Sequence, residues 1–135
     1  MSGGPASSRP RGVLLAVAFF ALSGALELGL VFADSGHPTP VALWEALGRA
    51  LLHFLLAAGL WYRFALCRTL ALVYCIAALV TYACVLALAL AGAPLVFPPS
   101  VVVQSIVQVP SCALLLPWLR SPEAGRAFPR PLLGP

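Results

Sequence analysis

The sequence contains no lysine, and charged residues of every kind make up only 9% of its 135 positions. A soluble domain ordinarily carries about 25%. A chain this short has too much surface to hide a composition that is 61% hydrophobic inside a water-soluble core. Lipid is the remaining solvent. Scarcity of charge also excludes a nucleic-acid-binding surface, which needs several cations and aromatics on one soluble face. No Cys-x-x-Cys pair occurs among Cys67, Cys75, Cys84 and Cys112, so their spacing fits neither a disulfide framework nor a zinc site. Packing is the expected role of these thiols. No Gly-x-Ser-x-Gly elbow and no glycine-rich phosphate loop is present. The reading is of a non-enzymatic protein with no catalytic residue, metal or cofactor.

What the sequence does contain is four long apolar runs. The first, 13–33, is long enough to cross a bilayer core, which takes about 20 helical residues. It is also longer than a signal-peptide h-region of about 7–15 residues, so a retained helix is expected. The others are 41–62, 69–91 and 101–119. Trp44 near the start of the second run, and Trp61 and Tyr62 at its end, sit where aromatic side chains anchor helices at water boundaries. Residues 34–40 read as a polar turn, 63–68 as a tight basic connector, and 92–100 as an uncharged loop. The fourth run carries Pro110 and Pro117, which membrane helices tolerate when neighbours compensate the lost hydrogen bond. Residues 1–12 form a polar, disordered cytoplasmic lead. In the tail, 120–135, Ser121, Pro122 and Glu123 supply a cap, a first-turn proline and a first-turn acid. They predict a short interfacial helix to about residue 128.

The arginines set orientation. Two lie in the lead, two in the 63–68 connector and three in the tail, whereas Arg49 alone falls on the other side. Such a bias places both termini in the cytoplasm. The expected fold is an all-α integral membrane four-helix bundle in a bacterial inner membrane. The lipid bilayer is its first partner; a homo-oligomer or a membrane-protein partner is left open, and no nucleic acid is expected.

Ionisable residues inside a span cost about 2.5–3.5 kcal/mol each near its centre, which singles out Glu27, Arg49 and His53. Counting from the outer ends of the first two runs, at about 1.5 Å of rise per residue, puts all three roughly 7–14 Å below the outer boundary. Arg49 and His53 are four apart and share a helix face, and Glu45 precedes Arg49 by the same interval. Gln104, Gln108 and Ser111 follow at helical spacing on one face of the fourth span, with Thr81 and Tyr82 at similar depth on the third. The expectation is an intramembrane polar site of Glu27, Arg49, His53, Gln104 and Gln108. It serves either as a joint between helices, as interhelical polar contacts commonly do, or as a proton- or cation-responsive group in a small transporter or channel-like protein. An outward-facing ligand or lipid-headgroup site is a third reading. Ala83, Ala87 and Ala91 form a small-residue stripe that allows close helix approach within the bundle or in a homodimer, packing within the monomer being the expectation.

Arg9-Pro10-Arg11-Gly12-Val13, then Gly59-Leu60-Trp61 followed by Arg63, then Arg68 with Ala71 and Leu72, and lastly Ser121-Pro122-Glu123 with Arg126 and Phe128, resemble the boundary signals of a group of small, uncharacterised bacterial four-span proteins. That resemblance implies the architecture and carries no activity or site residues. The small multidrug transporters are a second similarity, in size, span number and a first-span Glu. Here Glu27 is displaced outward, its surroundings differ, and the arginine bias fixes one orientation.

Overall fold

The computed structural model describes residues 10–35, 39–92 and 97–128. Within them the chain forms α1 (Arg11–Ser35), α2 (Pro40–Trp61), α3 (Ala65–Leu90), α4 (Pro99–Arg120) and a short α5 (Pro122–Ala127), with no strand among the described residues. The first four are long and apolar enough to cross a membrane. The chain is a small multi-pass membrane protein. Lead residues 1–9, turn residues 36–38, loop residues 93–96 and tail residues 129–135 lie outside the described residues.

Each span buries one narrow stripe with alternating steps of three and four. On α1 it is Val13, Ala16, Phe20, Ser23 and Glu27, and on α2 Ala46, Ala50, His53, Ala57 and Leu60. α3 contributes Ala71, Cys75 and Ala78, and α4 Ser105, Gln108, Cys112, Leu115 and Leu119. An average step of 3.5 keeps one seam of a helix facing its neighbours in a left-handed bundle. Many of these positions are small, so backbones approach closely, which is how membrane helices gain packing contacts without a hydrophobic drive. Gly24 is one such place. A Cβ there would lie 3.2 Å from the Ala50 carbonyl oxygen and 3.1 Å from the Phe54 ring.

α1 packs most extensively on α2, and α3 on α4; contacts between the two pairs are thinner. The bundle is thus two helical hairpins laid side by side. The turn between α2 and α3 is shorter than the sequence predicts, because α3 starts four residues earlier, at Ala65. Phe64 N–H donates to the Gly59 carbonyl at 3.0 Å and Arg63 N–H to that of Leu60 at 3.1 Å. This double closure places Arg63 at φ 65°, a left-handed position usually given to glycine. Likewise α1 continues through Asp34 and Ser35, where a turn was expected, and α4 takes in Pro99 and Ser100 from the expected loop.

The cap read at Ser121 forms, and another stands at Thr39, which the sequence reading did not single out. The Thr39 hydroxyl accepts from Ala42 N–H at 3.3 Å, and that of Ser121 accepts from Ala124 N–H at 3.1 Å. α5 ends at Ala127 and is docked rather than simply laid on the surface: Ala124, Ala127 and Phe128 are buried, and Phe128 meets the Trp118 ring edge-on at a centroid distance of 6.1 Å. Arg63 Nε donates to the Ala127 carbonyl at 2.8 Å, and Arg68 Nε to that of Leu119 at 2.9 Å. The connector arginines therefore cap helix C-termini, where unpaired carbonyls and the helix dipole favour a cation.

The small-residue stripe is a correction. Ala83, Ala87 and Ala91 are exposed on the outer face of α3, the least covered of the four spans. Packing is also not uniform among the thiols. Cys75 and Cys112 are buried and Cys67 is half-buried, whereas Cys84 is exposed.

Candidate functional site

The buried stripes change character from mid-bundle toward the end opposite the connector arginines. There the core positions of α1, α2 and α4 carry Glu27, His53, Gln104, Ser105 and Gln108 in place of aliphatic side chains, all of them buried. A buried charge is tolerated only when paired and hydrogen-bonded.

Glu27 meets that requirement on both carboxylate oxygens. Arg49 Nε donates to Oε2 at 3.0 Å, and Gln104 Nε2 donates to Oε1. The carboxylate is 4% exposed, while Arg49 keeps half of its surface (52%). From that position Arg49 also reaches Glu45, one turn earlier, at 3.9 Å. One acid thus joins three helices: α1 through its backbone, α2 through Arg49 and α4 through Gln104. Arg49 and Gln104 both reach Glu27 in the bundle interior.

His53 bonds to groups other than Glu27. Its Nδ1 lies 2.8 Å from the Arg49 backbone carbonyl and its Nε2 lies 2.7 Å from the Tyr74 hydroxyl. A carbonyl can only accept, so Nδ1 carries the proton. In the neutral ring Nε2 is then the acceptor, and Tyr74 O–H donates to it. Phe20 packs behind the pair, its ring 5.4 Å from that of Tyr74. This bond ties α2 to α3. Tyr74 was not among the residues singled out from the sequence. It stands seven and eight positions before Thr81 and Tyr82, on the same α3 face, and that periodicity is the signal that could have found it.

Gln108 and Ser111 do not join the cluster. Gln108 lies one turn deeper than Gln104, fully buried, its Oε1 accepting from the Cys112 thiol at 3.7 Å and its Nε2 without a partner. Ser111 instead lines a groove between α1 and α4. Ser105, which the sequence reading passed over, returns its hydroxyl to the Val101 carbonyl at 2.7 Å.

Beside the Glu27–Arg49 pair is a cavity of about 210 Å³ bordered by α2 and α3. Glu27, Arg49, His53, Tyr74, Thr81 and Tyr82 contribute its polar lining. The phenol and hydroxyl groups and the exposed part of the guanidinium could hydrogen-bond a small polar ligand or headgroup there. Tyr74 and His53 pair a hydroxyl with an imidazole, whose Nδ1 is held by a backbone carbonyl. Among the described residues, no group of three or more His, Cys, Asp or Glu side chains is placed to hold a metal ion. Comparison of the chain with protein-family models, curated proteins and solved structures gives no match.

Proposed function

We propose that this is a non-enzymatic, structural or accessory membrane protein, and that its intramembrane polar cluster is a joint between helices. The observation that carries the reading is the double engagement of Glu27. A transport carboxylate must exchange partners with a proton or cation, whereas here one oxygen is held by a guanidinium on α2 and the other by an amide on α4. Leaving a buried partner unsatisfied costs about 1–3 kcal/mol, which opposes such exchange.

The proposed setting is a bacterial inner membrane with both termini in the cytoplasm, on the strength of the arginine distribution. Arg63 and Arg68 also bind helix carbonyls at that end, so their position serves packing and topology together. A thiol placed at position 63 should resist impermeant reagents in intact cells and react once the membrane is opened. Labelling from outside would reverse the orientation.

Reconstitution of Glu27→Gln in liposomes tests the functional half. On this reading the variant loses thermal stability in detergent and leaves pH-dependent ion flux at the level of the unmodified protein. A flux present in the unmodified protein and abolished by a folded Glu27→Gln variant would establish the transport alternative instead. A second reading, ligand binding in the 210 Å³ cavity, is favoured by one observation: Arg49 remains half exposed beside Thr81 and Tyr82 while its Nε is occupied. Protection of the cluster by an added small polar ligand, measured as a rise in melting temperature that Arg49→Gln removes, would support it.

A further inference from the structure

A groove of about 1050 Å³ opens between α1 and α4, its mouth at the end opposite the polar cluster and its far end reaching Leu26, next to Glu27. Its walls are mainly apolar, with Leu15, Phe19, Leu22 and Leu26 from α1 and Val107 and Leu114 from α4, and the hydroxyls of Ser23 and Ser111 among them. From Leu15 to Leu26 is eleven residues, about 16 Å of helix rise. That is the depth of one leaflet, half of a hydrocarbon core of about 30 Å. The groove therefore matches the hydrocarbon of a lipid whose headgroup lies at the basic end.

The mouth adds a chemical constraint. Arg11, at the start of α1, and Glu123, in the first turn of α5, both line it, with Trp118 beside them. Gly12 allows this arrangement, since any Cβ there would overlap the Trp118 indole, which rests directly against α1. Arg11 and Glu123 are exposed and do not pair with each other; the two ion pairs among the described residues both belong to Arg49. A cation and an anion left at the mouth of a hydrocarbon-lined groove are complementary to a zwitterion. A phosphate would meet the guanidinium, and an ammonium the carboxylate. A quaternary ammonium has no N–H to donate, and a purely anionic headgroup would face the Glu123 carboxylate. We propose that the α1–α4 groove binds a phospholipid carrying a primary ammonium beside its phosphate, of the phosphatidylethanolamine type, with Arg11 and Glu123 as the headgroup contacts. This site shares no residue with the Glu27 cluster and does not depend on its role.

Trp118 is a built-in reporter. With Trp44→Phe and Trp61→Phe it becomes the sole indole, and lipids with brominated acyl chains quench an indole they touch. In phosphatidylcholine bilayers, brominated phosphatidylethanolamine should quench Trp118 at a mole fraction roughly two- to five-fold lower than brominated phosphatidylcholine or phosphatidylglycerol, the weight of one exposed charge pair. Arg11→Gln and Glu123→Gln should each remove the preference and leave the unquenched emission spectrum unchanged. Equal quenching by all three lipids would overturn the proposal in favour of ordinary lipid contact. Preference for phosphatidylglycerol would reduce it to attraction by the basic end. Loss of all quenching together with a dimeric mass would assign the groove to a second copy of the chain. Native mass spectrometry of the unmodified protein with the same lipids in competition gives the same decision should the tryptophan variants fail to fold.

Discussion

Arg63 combines an unfavourable backbone with a favourable side chain, and the two can be separated. A left-handed residue with a Cβ costs about 1–2 kcal/mol relative to glycine, and Arg63 occupies that region at φ 65°. Against this stands the Nε hydrogen bond to the Ala127 carbonyl at 2.8 Å. Charge-assisted bonds contribute about 1.5–3 kcal/mol, and the lower figure applies because Arg63 is only half-buried. Arg63→Ala keeps the strain and loses the bond, so it should destabilise by about 1.5 kcal/mol. Arg63→Gly loses the bond but relieves the strain, so its net loss should be only about 0.5 kcal/mol. The order of stability is therefore unmodified, then Gly, then Ala, with about 1 kcal/mol between the two variants. Reversible unfolding in mixed detergent and dodecyl sulfate micelles, followed by tryptophan emission, measures these differences. Amide hydrogen exchange in α5 supplies a second readout: it should rise equally in both variants, since both release Ala127. An alanine variant as stable as the glycine variant would refute the argument, and so would α5 exchange unchanged from the unmodified protein.

Other perturbations address the core. Glu27→Ala and Gln104→Ala should each destabilise by roughly 1 kcal/mol, with a double variant less destabilised than the sum, because the two side chains share one bond; a double-mutant cycle in the same micelles checks it. Tyr74→Phe leaves His53 Nε2 without its donor and should lower stability by about 1 kcal/mol, read as a fall in melting temperature. Gly59→Ala would drive a Cβ into the Cys67 side chain, whose Cβ would lie 2.9 Å away; overpacking of about 1–3 kcal/mol should outweigh the gain in helix propensity, again by thermal unfolding. In detergent, Cys84 should react with a small maleimide before Cys75 and Cys112, which become reactive only on unfolding; mass spectrometry of timed samples ranks them.

Four spans were readable because each run meets the length that lipid demands, and little else in a 135-residue chain could. Helix ends were less legible. Ala65, Leu66, Cys67 and Arg68 read as connector because an arginine beside a boundary marks topology equally well whether it lies in the turn or in the first helical turn. The turn closes in three residues only because Arg63 accepts a backbone region that sequence pattern assigns to glycine. Asp34 and Ser35 carry turn chemistry, yet nothing in that chemistry forces a helix to stop before them. In the site, counting residues from the boundaries put Glu27, Arg49 and His53 at overlapping depth, but equal depth alone does not decide which neighbours touch. It did not separate Gln104 from Ser111, which lies about 10 Å further along the same face of α4 and lines the α1–α4 groove instead. His53 bonds elsewhere: its Nδ1 is taken by its own helix, and Tyr74 is the group that reaches the other nitrogen. The alanines of α3 show the limit of spacing alone: their period establishes that they share a face, while only packing decides which way that face points.

The division into two hairpins also bears on how the protein enters a membrane. The carboxylate of Glu27 and the guanidinium of Arg49 belong to the same hairpin, α1 with α2. That half, made first by the ribosome, can cross into the bilayer with its opposite charges already neutralised and needs no help from the half still to be synthesised. Gln104 and Tyr74 arrive on the second hairpin and close onto groups that are by then in place. The ion pair is thus suited to insertion, and the two later hydrogen bonds to latching the finished halves together.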